Sequence, residues 1–301
     1  MFALKTFPTN RGVQRTTDYL YSMMNSCVHI LYGYRALILA SMCNGKSVIK
    51  NLPSSEDILS TVNCLKKTGI DIRINDRCAI VHGGTFCMPP ENLNCHNSGT
   101  SMRLLAGLYA SIQLPITLYG DSSLSKRPMD RIIDPLSKMG ASIESSNGRA
   151  PIRLSKFNPT AITYEIPIAS AQVKSCLILA SLGIRGKSII RQSIGTRDHI
   201  ELMIDSISSD TIEYSKNEVI IHPKAKDSLS AFNIDIPGDT SSASYLIGLA
   251  VLLKDSKLVI NNLLLNPLRM GFINTLISMG ANIEIDNIHA LRNEKVGRII
   301  A

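Results

Sequence analysis

The 301-residue chain is 45% hydrophobic and 19% charged, with a mean hydropathy of +0.11, so it can bury one large core or two modest ones and is not composed like a disordered segment. It holds no run of eighteen apolar residues, so no membrane-spanning helix is expected; its seven cysteines form neither a CxxC pair nor a cysteine–histidine cluster at zinc spacing, which argues against a disulfide framework or a structural metal and for a reducing compartment. Thirty-two Lys and Arg against 24 Asp and Glu leave a net charge of +8, which points to an anionic partner, either nucleic acid or phosphorylated small molecules.

The first thirty-four residues carry one acid, Asp18, with Lys5, Arg11 and Arg15. That composition weakly resembles a transit peptide, and an ordinary irregular N-terminus is the preferred reading. A regular succession follows. A helix apolar nearly all round spans 36–43, and a helix of that kind is buried. A strand over 47–50, an amphipathic helix over 56–67 and two strands over 70–74 and 79–82 complete the set. The succession returns with a helix, strand and helix at 102–110, 116–119 and 129–139, again at 173–182, 188–191 and 199–206, and again at 243–253, 257–261 and 271–279.

The joint between amphipathic helix and paired strands is the clearest repeat. It reads Leu65-Lys-Lys-Thr-Gly-Ile-Asp-Ile72, Leu136-Ser-Lys-Met-Gly-Ala-Ser-Ile143 and Leu276-Ile-Ser-Met-Gly-Ala-Asn-Ile283, with a weaker copy at Ile207-Ser-Ser-Asp-Thr-Ile212. The isoleucines step by 143 − 72 = 71, 212 − 143 = 69 and 283 − 212 = 71. Glycine takes its usual place just past a helix C-terminus. The spacing predicts tandem βαβαββ units of about seventy residues, too long for a typical solenoid and hence a mixed α/β fold of packed units. Partner changes are expected near 32–33 and 228–235.

The starts of the buried helices carry the candidate chemistry. They read Gly33-Tyr-Arg35, Asn97-Ser-Gly-Thr-Ser-Met-Arg103, Ser170-Ala-Gln-Val-Lys174 and Pro237-Gly-Asp-Thr-Ser-Ser-Ala243. Helix N-termini expose free N–H groups and a partial positive charge, and small residues let a phosphate approach. A cation in the first turn opposes the dipole and needs a reason; an anionic ligand is one, while Ser, Thr and Asn also simply cap helices. Two further basic clusters, Lys126-Arg-Pro-Met-Asp-Arg131 and Thr196-Arg-Asp-His199, precede amphipathic helices, and Pro128 suits a first-turn position. Asn266-Pro-Leu-Arg269 holds the equivalent place in the fourth unit and reads as structural. Of the six histidines only His199, beside Arg197, reads as more than a packing residue. No nucleophile elbow, Walker loop, dinucleotide fingerprint or HExxH is present, and fifteen aromatics without Trp make a poor nucleic-acid platform.

These segments resemble the 3-phosphoshikimate 1-carboxyvinyltransferase (EPSP synthase) family. The resemblance lies in Asn97–Gly107, Gly120–Arg131, Ser170–Ser175, Thr196–His199, Ile236–Ala243 and Asn266–Gly271, in the family's order from about Arg35 onward. The sister family that acts on UDP-N-acetylglucosamine shares the fold but carries a cysteine-bearing loop in place of Gly120–Arg131. The resemblance implies an inside-out, enolpyruvyl transferase-like α/β fold of two domains, each of three units, with substrates in the cleft between them. It implies transfer of the enolpyruvyl group of phosphoenolpyruvate to the 5-hydroxyl of shikimate 3-phosphate, releasing phosphate, without metal or organic cofactor, in the cytoplasm.

Carried over residue by residue, it implies that Arg35, Ser170, Ala171, Gln172 and Thr196 hold shikimate 3-phosphate. Thr196 stands where the family usually has Ser. Gly99, Arg127 and Gln172 would meet phosphoenolpyruvate, and Arg103, Lys174 and Arg197 would be more remote cations. Two departures bear on activity. The family's Lys-Ser-x-Ser-x-Arg stretch is Ile30-Leu-Tyr-Gly-Tyr-Arg35 in this chain, which keeps only the arginine. Its carboxylate proton acceptor belongs to fifth and sixth units that 301/70 ≈ 4.3 repeats do not reach, so no catalytic acid or base is assigned. The expectation is one complete three-unit domain at 33–232 and part of a second at 1–32 and 233–301. The chain would then be an enolpyruvyl transferase shortened at its C-terminus. The alternatives are a non-catalytic remnant that binds a phosphorylated ligand, or one part of a split enzyme whose partner chain supplies the rest. A monomer is expected where no such partner exists, with no nucleic-acid or membrane partner.

Overall fold

The computed structural model describes residues 29–301 apart from 224 and 255; all but the last six residues of the basic N-terminal stretch lie outside the described residues. The chain divides into two compact units, a larger one of Leu31–Ile234 and a smaller one that contains Asp235–Ala301 with residues 29–30.

The larger unit repeats one succession three times. Its first copy is α1 (Ile30–Met42), β1 (Gly45–Lys50), α2 (Glu56–Lys67), β2 (Asp71–Asn75) and β3 (Cys78–Gly83). The second is β4 (Leu93–Asn94), α3 (Gly99–Ser111), β5 (Ile116–Tyr119), α4 (Asp130–Lys138), β6 (Ala141–Ser146) and β7 (Arg149–Phe157). The third is β8 (Thr163–Ile166), α5 (Ala171–Ser181), β9 (Ser188–Gln192), α6 (His199–Ile207), β10 (Ile212–Tyr214) and β11 (Glu218–Ile221), and β12 (Asn233–Asp235) follows. The sheets run β4-β5-β7-β6 and β8-β9-β11-β10. In each, the leading strand is parallel to the next, as in Leu93 opposite Leu118 and Thr163 opposite Ile189, and the others are antiparallel. The first sheet runs β12-β1-β3-β2: β12 follows the third repeat in sequence yet fills the leading place beside β1. There Val48 N–H donates to the Phe232 carbonyl at 3.1 Å, and Phe232 N–H donates to Ser47 Oγ at 3.1 Å.

The apolar helices are the core. Every residue of α1 from Tyr32 to Met42 is buried, as are Leu104, Leu105 and Leu108 of α3 and Cys176–Leu179 of α5. Burial of each large aliphatic side chain stabilises by roughly 1.5–3 kcal/mol. α3 and α5 meet backbone to backbone: a Cβ on Gly107 would lie 2.3 Å from the Cys176 carbonyl oxygen.

These helices start earlier than the apolar runs predict, at Ile30, Gly99 and Ala171. The first turns of α3 and α5 are small or polar, so they read as loop, but side-chain caps bring them into the helix. Ser98 Oγ accepts from Ser101 N–H at 3.2 Å, and Ser170 Oγ from Val173 N–H at 3.5 Å. Gly69, Gly140 and Gly280 end their helices at φ of 93°, 94° and 92°, a left-handed geometry that glycine adopts without steric cost. The third repeat has Ser209 at this place and uses a short 3-10 turn, Ser209–Thr211, instead. This is the physical reason its copy of the repeat looks weak.

The smaller unit contains α7 (Thr240–Leu252), β13 (Val259–Leu264), α8 (Gly271–Ser278), β14 (Glu284–Leu291) and β15 (Glu294–Ile300), with sheet order β13-β15-β14. α7 also starts ahead of its apolar run, with Asp239 accepting from Ser241 N–H at 3.2 Å. Ala243, Leu246, Ile247, Ile260, Leu263, Ile273 and Ile299 form its core. The other side of α7 is open: Tyr245 is 81% and Leu252 83% exposed.

Candidate functional site

The site is built where the heads of α1, α3 and α5 come together in the larger unit. Tyr34 OH and Ser98 Oγ, on α1 and at the cap of α3, are 2.9 Å apart, and burial pushes the Tyr34 phenol well up. Arg35 donates from Nη1 to the Leu31 carbonyl at 2.7 Å and from Nη2 to Ser175 Oγ at 2.9 Å. It is 2% exposed and ties α1 to α5.

Between α3 and α5 lies a small cationic recess. Gly99 opens α3 without a side chain, and a Cβ there would meet Arg103 Nη1 at 3.1 Å and Arg127 Nη1 at 3.2 Å. Arg103 reaches across to Gln172 Oε1 at 2.7 Å and to the Pro128 carbonyl at 3.2 Å. Gln172 in turn donates from Nε2 to Thr100 Oγ1 at 2.8 Å. Arg127 donates to Asn97 Oδ1. Burial first, then the positive charges of Arg127 and Arg131, hold the Arg103 guanidinium below its ordinary pKa. The like charges of the Arg103 and Arg127 guanidinium groups repel. An anion seated over the glycine and the exposed N–H groups of the α3 head would remove that repulsion.

Ser170, Ala171 and Gln172 form the head of α5, half-buried. Thr196 lies in the 193–198 loop between β9 and α6; its hydroxyl donates to Gln192 Oε1 at 2.9 Å, so a ligand oxygen would compete with Gln192 for that proton. Arg197 is exposed. Lys174 has a different reason for its place than a ligand. Its ammonium is 2.5 Å from Glu201 Oε1 and 3.2 Å from the Thr196 carbonyl, and it is buried.

Three readings from the sequence change. His199 is 1% exposed and packs edge-on at 5.9 Å against Tyr32, so it is a packing residue of the α6 start. Pro128 is not in a helical first turn: α4 begins at Asp130, with Met129 before it, and the Pro128 carbonyl serves Arg103. The helix-head cations have partners within the protein itself, Ser175 for Arg35 and Glu201 for Lys174. The residues not foreseen are Asn97, Thr100, Gln192 and Glu201. Glu201 had no separate signal, because an acid in a helix first turn is ordinary dipole chemistry. Cys176 is no hidden nucleophile: burial pushes its thiol up to about 12. In the smaller unit, Arg269 donates to Asp239 Oδ1 and Ser241 Oγ, both at 2.7 Å, in keeping with the structural role read for Asn266–Arg269. Among the described residues no group of three His, Cys, Asp or Glu could hold a metal ion, and no helix is long and apolar enough to cross a membrane.

Comparison with known proteins agrees with the fold. Residues 32–299 match the family model described as EPSP synthase (3-phosphoshikimate 1-carboxyvinyltransferase). A 3-phosphoshikimate 1-carboxyvinyltransferase of Caldicellulosiruptor saccharolyticus is 42% identical over 273 residues, which are 89% of this chain and 63% of that protein. One of Streptococcus uberis is 40% identical over 84% of this chain and 60% of its own length. The 2.37 Å structure of EPSP synthase from Acinetobacter baumannii superposes with a TM-score of 0.85 at 31% identity, covering 91% of this chain and 62% of that one. The chain thus spans about 63% of the length of such relatives. With a family match across nearly its whole described length and the fold of a solved member, this chain belongs to the EPSP synthase family.

Proposed function

We propose that this chain binds shikimate 3-phosphate and phosphoenolpyruvate and takes part in enolpyruvyl transfer between them. The observation that carries the reading is the recess at Gly99, where Arg103, Arg127 and Gln172 converge. In this reading Gly99, Arg127 and Gln172 receive phosphoenolpyruvate. Ser170, Ala171, Gln172 and Thr196, with Arg35 behind them, receive shikimate 3-phosphate. Arg103, Lys174 and Arg197 act one layer further out. The 5-hydroxyl oxygen would add to C2 of phosphoenolpyruvate as its proton is lost and C3 gains one, giving a tetrahedral adduct; loss of phosphate from C2 with a proton from C3 would then restore the double bond. The gathered side chains are binders; the acid and base that such a transfer requires within hydrogen-bond reach are assigned to none of them. The reading needs no cofactor or nucleic acid, and it places the protein in the cytoplasm, as a monomer or with a partner chain that completes the site.

A second reading, a phosphate-ligand binder without turnover, is favoured by one observation: the first turn of α1 presents Ile30 and Leu31, which offer a phosphorylated substrate no charge. Calorimetry of the full chain with shikimate 3-phosphate should give saturable heat, and its absence rejects both readings. A coupled phosphate-release assay with both substrates then separates them, since turnover supports transfer and binding without turnover supports the binder.

A further inference from the structure

Lys174 lies on the first turn of α5, where the helix dipole disfavours a cation. It is also buried, with its side chain 3% exposed and that of its partner Glu201 1% exposed. Burying an ion pair costs about as much in lost hydration as the attraction returns, so such a pair is poor evidence for stabilisation, and two apolar residues of like volume would serve the core at least as well. The geometry supplies another purpose. The ammonium has a second partner, the Thr196 carbonyl at 3.2 Å. Thr196 belongs to the 193–198 loop, which lies outside helix and strand, so side-chain ties set its position. On the other side the Thr196 hydroxyl donates to Gln192 Oε1 at 2.9 Å, and Gln192 Nε2 is itself fixed on the Lys216 carbonyl at 3.2 Å. Thr196 is therefore pinned from both sides, by Gln192 through its hydroxyl and by Lys174 through its carbonyl. Glu201, in the first turn of α6, is what aims the ammonium, at 2.5 Å from it. Burial pushes the Glu201 carboxyl up, and Lys174 pulls it back.

We propose that Glu201 is a positioning residue: acting through Lys174, it fixes the Thr196 carbonyl and so holds the 193–198 loop in register with the head of α5, where the phosphate of the ligand is received. The ligand half of this inference rests on the shikimate 3-phosphate reading above; the loop half stands on the geometry alone.

The test uses the full chain and the variant Lys174→Met/Glu201→Leu, which removes both charges together and so avoids the buried lone charge that either single change would leave. Its melting temperature should stay within a few degrees of the parent. Trypsin then probes the loop at exposed Arg197, with cleavage after Arg185 as internal reference. Cleavage at Arg197 should be at least tenfold faster in the variant, and an unchanged rate overturns the positioning role. Calorimetry with shikimate 3-phosphate should show at least tenfold weaker binding by the folded variant, and equal affinity in the two proteins also overturns it. No heat with the parent protein sinks the ligand reading instead and leaves the tryptic result to decide the loop. Should the variant not fold, Glu201→Gln takes its place in both measurements with the same expected outcomes.

Discussion

In the larger unit α3 is enclosed on every side, whereas α7, its counterpart 141 residues later in the smaller unit, keeps one side in water. The repeat aligns the two residue by residue. Leu104, fully buried, corresponds to Tyr245, 81% exposed; Ser111, 4% exposed, corresponds to Leu252, 83% exposed. Gly107, pressed against a carbonyl of α5, corresponds to Gly248, which faces only the Phe272 ring. Both helices are apolar nearly all round, so the difference is not in the helices. A repeat's own sheet covers one side of its apolar helix, and the rest must be covered by other helices of the same kind. The larger unit supplies three: α3 and α5 press against each other, and α1 bonds to both through Tyr34–Ser98 and Arg35–Ser175. Among the described residues, the smaller unit has no second helix of that kind to lay against α7, and an exposed apolar patch of this sort is where association occurs.

The largest difference is expected at the aligned pair of large residues. Leu104→Ala should cost about 2–5 kcal/mol in urea unfolding, as a buried leucine does, while Tyr245→Ala should change stability by no more than about 0.5 kcal/mol. Similar losses at the two positions would end the argument. The glycines come next. Gly107→Ala drives a methyl into the Cys176 carbonyl and should cost roughly 1–3 kcal/mol, the usual range for overpacking. Gly248→Ala puts a methyl 3.4 Å from Phe272 Cζ and should gain up to about 1 kcal/mol from helix propensity. One substitution at one repeat position is thus expected to have opposite signs.

Arg127→Ala tests the helix heads. In the proposed reading it should weaken phosphoenolpyruvate binding at least tenfold by calorimetry, as loss of a charged hydrogen-bonded contact does, with unfolding unchanged. The α7 head, where Arg269 is already matched by Asp239, should contribute no such affinity.

The smallest effects are in pH dependence, and they run in opposite directions. Burial raises the Glu201 carboxyl in the folded larger unit. The unfolded chain therefore releases that proton first, and stability falls as pH rises from the ordinary carboxylate range toward the raised folded value. Glu201→Gln should flatten that fall. In the smaller unit the hydrogen bond from Arg298 holds the Asp286 carboxyl low. Its contribution is present above the ordinary carboxylate range and is lost as pH falls through the depressed value, so Asp286→Asn should remove a shallow acid-side loss. Melting temperatures across pH 3–7 would read both.

Most of the element order was legible because the repeat states it four times, and a periodicity seen four times is hard to mistake. What escaped depended on contacts that no local window contains. The small, polar first turns of α3, α5 and α7 belong to their helices only because caps at Ser98, Ser170 and Asp239 bond to them. Sequence order places β12 at the head of the fourth repeat, yet its hydrogen bonds go to β1. At the site, the glycine and arginines of the α3 head could be picked out as anion seekers. The partner of Lys174 could not, because Glu201 is 27 residues away and meets it only when α5 and α6 pack.

The place of β12 carries a further consequence, for synthesis. Ser47 and Phe232 are 185 residues apart in the chain, so β1 keeps an open sheet edge until nearly the whole larger unit has been made. At about 5–20 residues per second, that is a wait of roughly ten to forty seconds with unpaired backbone on show. An open edge is a template for wrong pairing, and contacts this distant in sequence form slowly. Folding of the larger unit is therefore paced by translation: its first sheet is the earliest begun and the last to close.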